Sequence, residues 1–416
     1  MLSVAEAVAE ITSGITPREA EGVPILDALG CVLAAPAMAT YTLPQWDNSA
    51  MDGYAVRADD IAGASASRPV ALDVLETVAA GAFATRPVTS GAAIRIMTGA
   101  PIPDGADTVV RVEDTDAGLE RVSVRNDRDS RKNIRARGED FREGATVIQA
   151  GTPLAAAQLG VLASLGYGTV DVHRRPVVAI AGSGDELVDL DQFDEVKAGR
   201  RIVASNRYTL DALIRQAGGV PRNLGNAADS PESLRALLEQ SRGADLLVTS
   251  AGASVGEFDY TRQVLESMGA DLRFWRVRMR PGAPLGFGTL DGMPWLGLPG
   301  NPVSAMVTFE LFARPVIRRM LGHSRLHRRP IPVVLEEPVS LGARLTHFLR
   351  AVVSIGADGV ATARLTGPQG SGILTSMSLA NALLVVPEDR NRVEAGERLN
   401  ALPLSEDAQL SYTFAL

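Results

Sequence analysis

Residues 176–186 read PVVAIAGSGDE, residues 244–256 read ADLLVTSAGASVG, and residues 295–302 read WLGLPGNP. Each is a short apolar run that breaks into a glycine-containing turn, and helical patterns follow over 208–217, 231–240, 261–268 and 302–321. Short apolar runs alternating with amphipathic stretches are the signature of a parallel α/β sheet. The spacing predicts strands over 176–181, 244–249 and 295–298. Ligands of open α/β sheets bind beyond the carboxyl ends of the strands. The turns GSGDE, SAGASVG and PGNP therefore predict one composite site.

Working outward, the chain of 416 residues is long enough for about three domains. Val4, Ala5, Val8 and Ile11 have helical spacing behind Ser3, which is placed to cap them, and a short helix is expected over 25–33. From 41 to about 140 the texture changes to short apolar runs such as 69–75 and 92–96 between Gly, Pro and Asp turns, a mainly β module. Residues 153–165 (PLAAAQLGVLASL) read as helix again, which makes the β module an insertion. After Pro330 short β runs at 331–335, 348–355, 361–365 and 382–387 form a separate small β module.

Composition excludes several functions. With 46% hydrophobic and 22% charged residues the chain is ordinary globular material. It has no run of 18 apolar residues, and Glu6 and Glu10 stand where a signal peptide would be basic and then apolar. A cytoplasmic protein without a membrane span is expected. Cys31 is the sole cysteine, so neither an intrachain disulfide nor a multi-thiolate zinc site can form. Of four histidines only His323 and His327 have ligand-like spacing, and they are expected at a solvated helix end. A formal charge of −8 argues against broad attraction to nucleic acid or an anionic membrane. Only Lys132 and Lys197 are lysines; every other basic residue is arginine.

Chemistry concentrates in the turns. Gly182, Ser183 and Gly184 let backbone N–H groups approach an anion, and Asp185 and Glu186 offer the hard oxygens Mg²⁺ prefers beside phosphates; the other reading is a tight turn with a solvated acidic tip. Ser250 and Ser254, with Gly252 between them, suit an oxyanion cradle, and Glu257 and Asp259 could hold a cation. Pro299, Gly300 and Asn301 form a rigid turn before a helix N-terminus, itself a ready anion site. Arg276, Arg278 and Arg280 share one face if their segment is extended, either to bind an oxyanion or as a solvated face. No Ser/His/Asp or Cys/His triad can be assembled.

Together these motifs resemble one family, the MoeA molybdopterin molybdenumtransferases, also seen as the C-terminal domain of gephyrin. The resemblance rests on WDNSAMDGYAV (46–56), RIMTGAPIPDGADTVV (95–110), NIRARGED (133–140), GSGDEL (182–187), SNRYTL (205–210), TSAGASVGEFDYT (249–261) and LPGNPVSA (298–305). It implies a multidomain α/β plus β protein: a small N-terminal helical domain over 1–40 and 141–174, an inserted mainly-β domain over 41–140, a MoaB/MogA-like parallel α/β domain that binds molybdopterin over 175–328, and a C-terminal β-barrel over 329–416. It further implies a homodimer with the active site between subunits, and contacts with a molybdopterin adenylyltransferase and with cofactor-accepting enzymes.

The implied reaction takes adenylylated molybdopterin and molybdate, inserts the metal at the dithiolene and releases AMP with Mg²⁺. Matched to the family motifs, Asp185, Glu186, Asp229 and Asp259 form the acidic Mg²⁺ and substrate shell, joined by Asp52 and Asp140 from the inserted module. Gly182, Ser183, Gly184, Ser250, Gly252, Ser254, Pro299, Gly300, Asn301 and Ser304 line the phosphate and oxyanion region, and Arg280 keeps a family cation. The chain departs from the family at Arg280 and Ala283, where lysines are usual, and at Ala251, where glycine is common. A scaffold protein that retains the fold, or a paralogue handling tungstate, are the competing readings.

Overall fold

The computed structural model describes residues 1–250, 257–356 and 358–405, with the side chains of 257–260 outside the description. The chain forms two compact units, one of Met1–Ala34, Gly151–Ala156 and Thr169–Leu416, the other of Ala35–Ala150 and Ala157–Gly168.

The first unit opens with helix α1 (Val4–Ser13). Ser3 caps it as the spacing predicts: its Oγ accepts from Glu6 N (3.2 Å), and Glu6 Oε2 accepts from Ser3 N (2.7 Å). This reciprocal box satisfies two otherwise orphaned amides. Ala7 and Ile11 on its inner face join the core that holds Val178, Ile180, Phe309 and Phe348. The helix expected over 25–33 shrinks to a 3-10 turn, Ile25–Ala28; Gly30, at φ 78°, ends it.

At the centre is a six-stranded sheet of β1 (Val177–Ser183), β2 (Val220–Ala227), β3 (Leu246–Ser250), β4 (Asp271–Arg276), β5 (Pro284–Leu290) and β6 (Met293–Leu298), in the order β2-β1-β3-β6-β5-β4. The first four in this order run parallel and the last two alternate. β1 and β3 are buried on both faces, hence their unbroken apolar runs. β2 and β5 escape the sequence reading for physical reasons. β2 is an edge strand, where Pro221 and polar residues are tolerated. β5 is broken by Gly286 and Gly288; a Cβ on Gly286 would lie 2.4 Å from the Trp295 ring, so packing demands glycine there.

Helices α2 (Ser205–Ala217), α3 (Pro231–Glu239) and α4 (Glu257–Ser267) connect the strands. The single helix expected over 302–321 is three pieces: α5 (Pro302–Thr308), a π turn (Phe309–Ala313) and α6 (Arg314–Met320). Pro315, which has no N–H to give the preceding turn, is the second residue after the π turn. His323 is half-buried rather than solvated, and burial beside Arg318 and Arg314 pushes its pKa down to about 4.

The arginine segment after β4 alternates as expected: Val277 and Met279 point inward and fully buried, while Arg276 and Arg280 are exposed. Strands β7 (Ile331–Leu335), β8 (Thr346–Ile355), β9 (Ala361–Leu365), β10 (Ala382–Val386) and β11 (Arg398–Pro403) close into a ring, β8-β9-β7-β11-β10 and back to β8, around Val333, Leu349, Ala351 and Leu384. This is the C-terminal barrel.

The second unit carries a five-stranded sheet in which Gly53–Val56 lies between Thr108–Arg111 and Ala92–Ile96. The run expected at 69–75 is Val70–Val78 of the same sheet, and the expected helix at 153–165 forms over Ala156–Ser164. Among the described residues no helix is long and apolar enough to cross a membrane.

The amino edge of the parallel sheet is closed by one carboxylate. Asp245, 8% exposed, accepts from Arg174 Nη1 and Nη2 (2.6 and 2.7 Å), Val177 N (2.7 Å) and Arg18 Nη1 (3.5 Å). Burial raises its pKa, but the Arg174 hydrogen bonds and the Val177 amide outweigh this and hold it below the ordinary carboxylate range. A carboxyl depressed on folding stabilises above its unfolded pKa, about 4, and the contribution is lost as pH falls through the folded value. Asp245→Asn is expected to cost about 3 kcal/mol in urea unfolding at pH 7, the scale of a broken buried ion pair, and the gap from the native protein should narrow steadily below about pH 4. A gap that stays constant with pH would contradict this account.

Candidate functional site

A cavity of about 580 Å³ opens at the carboxyl edge of the parallel sheet, where the turns after β1 and β6 meet Ser250, the last residue of β3. Of the residues expected there, Gly182, Ser183, Glu186, Ser250, Gly300 and Asn301 line it. A Cβ on Gly182 would sit 2.1 Å from Asn226 Oδ1, so glycine lets β2 press its amide against β1. Gly184, at φ 141°, folds the Glu186 carboxylate back over itself; a Cβ there would meet Glu186 Oε2 at 2.6 Å.

Asp185 and Asp229 lock to each other. Asp185 N donates to Asp229 Oδ2 (3.2 Å), and Asp229 N donates to Asp185 Oδ1 (3.1 Å). The turn after β1 and the turn after β2 are thereby joined by two exposed carboxylates, each with one oxygen left over. Among the described residues no three His, Cys, Asp or Glu side chains gather as a metal cluster. Gly252 and Ser254 lie outside the described residues, as does the side chain of Asp259, whose backbone is in α4.

Other expected residues stand elsewhere. Ser304 is buried in α5, its carbonyl accepting from Thr308 Oγ1 (2.7 Å), and Pro299 precedes the lining turn. Arg280 is exposed and its strand pairs with barrel strand β8 at His347. Arg278 is occupied by Glu388 (3.2 Å) and by the Met1 carbonyl (2.8 Å). These arginines do not line the cavity. Asp52 and Asp140 belong to the second unit. Thr98 N and Oγ1 both donate to Asp52 Oδ1 (2.7 and 2.8 Å), and these bonds hold its carboxyl below the usual range. Asp140 is exposed, its N–H donating to the Leu43 carbonyl (3.1 Å).

Of the cavity's amides the sequence reading assigned a role to Asn301 and missed the other three. Asn206, Asn223 and Asn226 line it with Asn301. Asn206 Nδ2 donates to Ser250 Oγ and to the Gly300 carbonyl, both at 2.7 Å, bridging the ends of β3 and β6. Because a carbonyl only accepts, this settles which end of the amide faces it. Asn206 Oδ1 is then a buried acceptor with no partner among the described residues. The only sequence signal was SNRYTL, which carries no spacing rule. Arg350 was also missed, because it lies in a barrel strand outside every motif, 45 residues beyond the end of LPGNPVSA (298–305). It is fully buried and, among the described residues, has no acidic partner: Nε donates to Ser376 Oγ (3.0 Å), Nη2 to the Gly370 carbonyl (2.9 Å), and Nη1 has none. Gly372 of the loop that Arg350 holds lines the cavity, and Ser371 O accepts from Val303 N of α5 (3.1 Å).

An open, mostly parallel sheet with a polar cavity at its carboxyl edge, linked in one chain to a closed five-stranded barrel, defines a multidomain α/β plus β protein with a ligand-sized cavity. Family profiles refine this: residues 2–166 match the MoeA N-terminal region (domains I and II), 179–319 a probable molybdopterin binding domain, and 332–404 the MoeA C-terminal region (domain IV). The chain is 37% identical to a molybdopterin molybdenumtransferase of Nostoc sp., covering 93% of this chain and 89% of that protein. It is 38% identical to molybdopterin molybdenumtransferase 2 of Mycobacterium tuberculosis, over 92% and 95% of the two chains. The crystal structure of a molybdopterin biosynthesis moeA protein from Pyrococcus horikoshii superposes with a TM-score of 0.83 at 28% identity, covering 97% of this chain and 100% of that one. The chain belongs to the MoeA family.

The amide orientation can be checked directly. Asn206→Ala should cost about 2 kcal/mol in chemical denaturation for two lost hydrogen bonds. Asn206→Asp should cost more, because an oxygen would then face the Gly300 carbonyl. The reverse order of stability would mean that Oδ1, not Nδ2, faces Gly300.

Proposed function

We propose that this protein is a molybdopterin molybdenumtransferase in molybdenum cofactor biosynthesis, inserting molybdate at the dithiolene of adenylylated molybdopterin with release of AMP. The observation that carries the reading is the cavity at the carboxyl edge: amides and hydroxyls line it, and a buried acceptor, Asn206 Oδ1, waits for a donor. A free oxyanion offers no such donor at neutral pH, whereas a heterocycle with amino groups does. Arg350, buried and unpaired behind the 370–376 loop, is the group we assign to a tetrahedral oxyanion, since an uncompensated guanidinium gains most from an anion.

The donor set fits Mg²⁺, a hard cation that is held by one or two carboxylates and substrate phosphates. Asp185 and Asp229 would hold it, with Glu186 and Asp259 completing the acidic shell, and it would supply charge neutralisation of the pyrophosphate. Gly182 and Ser183 line the cavity beside Ser250, Gly300 and Asn301 where the phosphates would lie, and Gly184, whose N–H donates to the Ala227 carbonyl (3.2 Å), shapes the turn. The roles of Gly252, Ser254, Pro299, Ser304 and Arg280 follow the family match alone.

In the same reading Asp52 and Asp140 are supplied to the active site of a partner subunit in a homodimer. An apolar surface around the 3-10 turn, with Leu26 85% exposed and Leu29 57% exposed, supports self-association. The protein would act in the cytoplasm, receive its substrate from an adenylyltransferase and pass the cofactor to accepting enzymes.

Purified protein given adenylylated molybdopterin and Mg²⁺ is expected to release AMP in proportion to added molybdate, with tungstate and oxyanion-free arms setting the preference; AMP release independent of any oxyanion would sink the transferase reading. Asp229→Asn should lower that rate about a hundredfold, as for loss of a transition-state electrostatic group. Leu26→Asp with Leu29→Asp should shift sedimentation from dimer toward monomer, and an unchanged sedimentation coefficient would remove this surface from the interface.

A further inference from the structure

Among the described residues that line the carboxyl-edge cavity, Arg207 alone carries a positive charge. We propose that Arg207 contacts a phosphate of the adenylylated substrate and that Asp189 positions it for that contact. This rests on the transferase reading above and adds to it a residue pair that the family match does not assign.

Arg207 lies in the first turn of α2, where the unpaired amides of the helix add positive potential for an anion. Its Nη1 is held by Asp189 Oδ2, and the hydroxyl of its neighbour Tyr208 donates to Asp189 Oδ1. Asp189 also accepts from Leu190 N (2.9 Å). Both carboxylate oxygens are thus engaged. The Tyr208 hydroxyl first, then the Leu190 amide and the Arg207 charge, keep the Asp189 carboxyl below its usual range, so it remains an anchor at neutral pH.

Asp189 belongs to the excursion between β1 and α2. Leu187–Val188 pairs there with Ile202–Val203, and Leu187, Ile202 and Val203 line the cavity. The ion pair therefore fastens a wall of the cavity to the helix that floors it. Arg207 is 34% exposed and uses one nitrogen on Asp189. Its Nε and Nη2 are left to form the paired hydrogen bonds by which a guanidinium grips a phosphate. The guanidinium carbon lies 5.9 Å from the Tyr208 ring centroid, which limits its swing.

The test separates this pair from the reading it rests on. With wild-type AMP release established, Arg207→Ala should raise KM for adenylylated molybdopterin about tenfold to a hundredfold, the worth of a charged hydrogen bond, while the dependence on molybdate is unchanged. Arg207→Lys should recover part of the loss. Asp189→Ala should raise the same KM less, and added to Arg207→Ala should cause no further rise, because it acts through the arginine. Independently of turnover, calorimetric titration with inorganic pyrophosphate and Mg²⁺ should show binding to the wild type that weakens at least tenfold in a folded Arg207→Ala protein. Equal pyrophosphate binding by the two, or none by either, overturns the phosphate contact. Additive effects of the two alanine substitutions overturn the positioning role of Asp189. Failure of wild-type AMP release beside intact, Arg207-dependent pyrophosphate binding would sink the transferase reading and leave the phosphate contact standing.

Discussion

Four parallel strands ending on one edge of a sheet impose the order of everything around them. Parallel pairing forces each connection to cross the sheet and return, so the carboxyl ends of β1, β2, β3 and β6 all lie on the same side. Motifs scattered over more than 100 residues of chain meet there because the hydrogen-bond ladder leaves them nowhere else to go. Small residues then set how closely they meet: Gly182 admits the Asn226 amide, and Asn206 ties Ser250 to Gly300.

The two edges of this sheet are treated differently. At the amino edge Asp245 accepts from two arginines and a strand amide, while among the described residues Arg18 Nε is buried without a partner. At the carboxyl edge, among the described residues, Asn206 Oδ1 is buried without a partner, and the Arg350 guanidinium lacks both an acid and one hydrogen bond. Buried polar groups are normally satisfied, and each exception carries a cost of about 1–3 kcal/mol. What separates the edges is access: Asn206 lines the cavity, where a ligand can use its spare acceptor.

The barrel takes part through one loop. Arg350 of β8 holds Gly370 and Ser376, Ser371 receives the first amide of α5, and Gly372 reaches the cavity. A single apolar core runs from α1 through the sheet to Phe348 and Leu383 of the barrel, so the loop is carried on a continuous packed body rather than on a tether.

Much of this was legible in the residues themselves. The apolar runs of β1, β3 and β6, the Ser3 cap, the barrel runs and the glycine turns all follow from local rules of periodicity and capping, and together with the motif order they determined the fold class, the family resemblance and the edge at which the site lies. Local rules say nothing about partners distant in sequence. They did not show that β2 and β5 are strands, because an edge position and the bulk of Trp295 decided their composition. Nor did they separate Arg280, which is turned to the barrel side, from Arg207, which enters the cavity. Whether a polar side chain is paired, orphaned or shared depends on what folding brings beside it. Tertiary structure alone therefore picked out Asn206, Arg207 and Arg350.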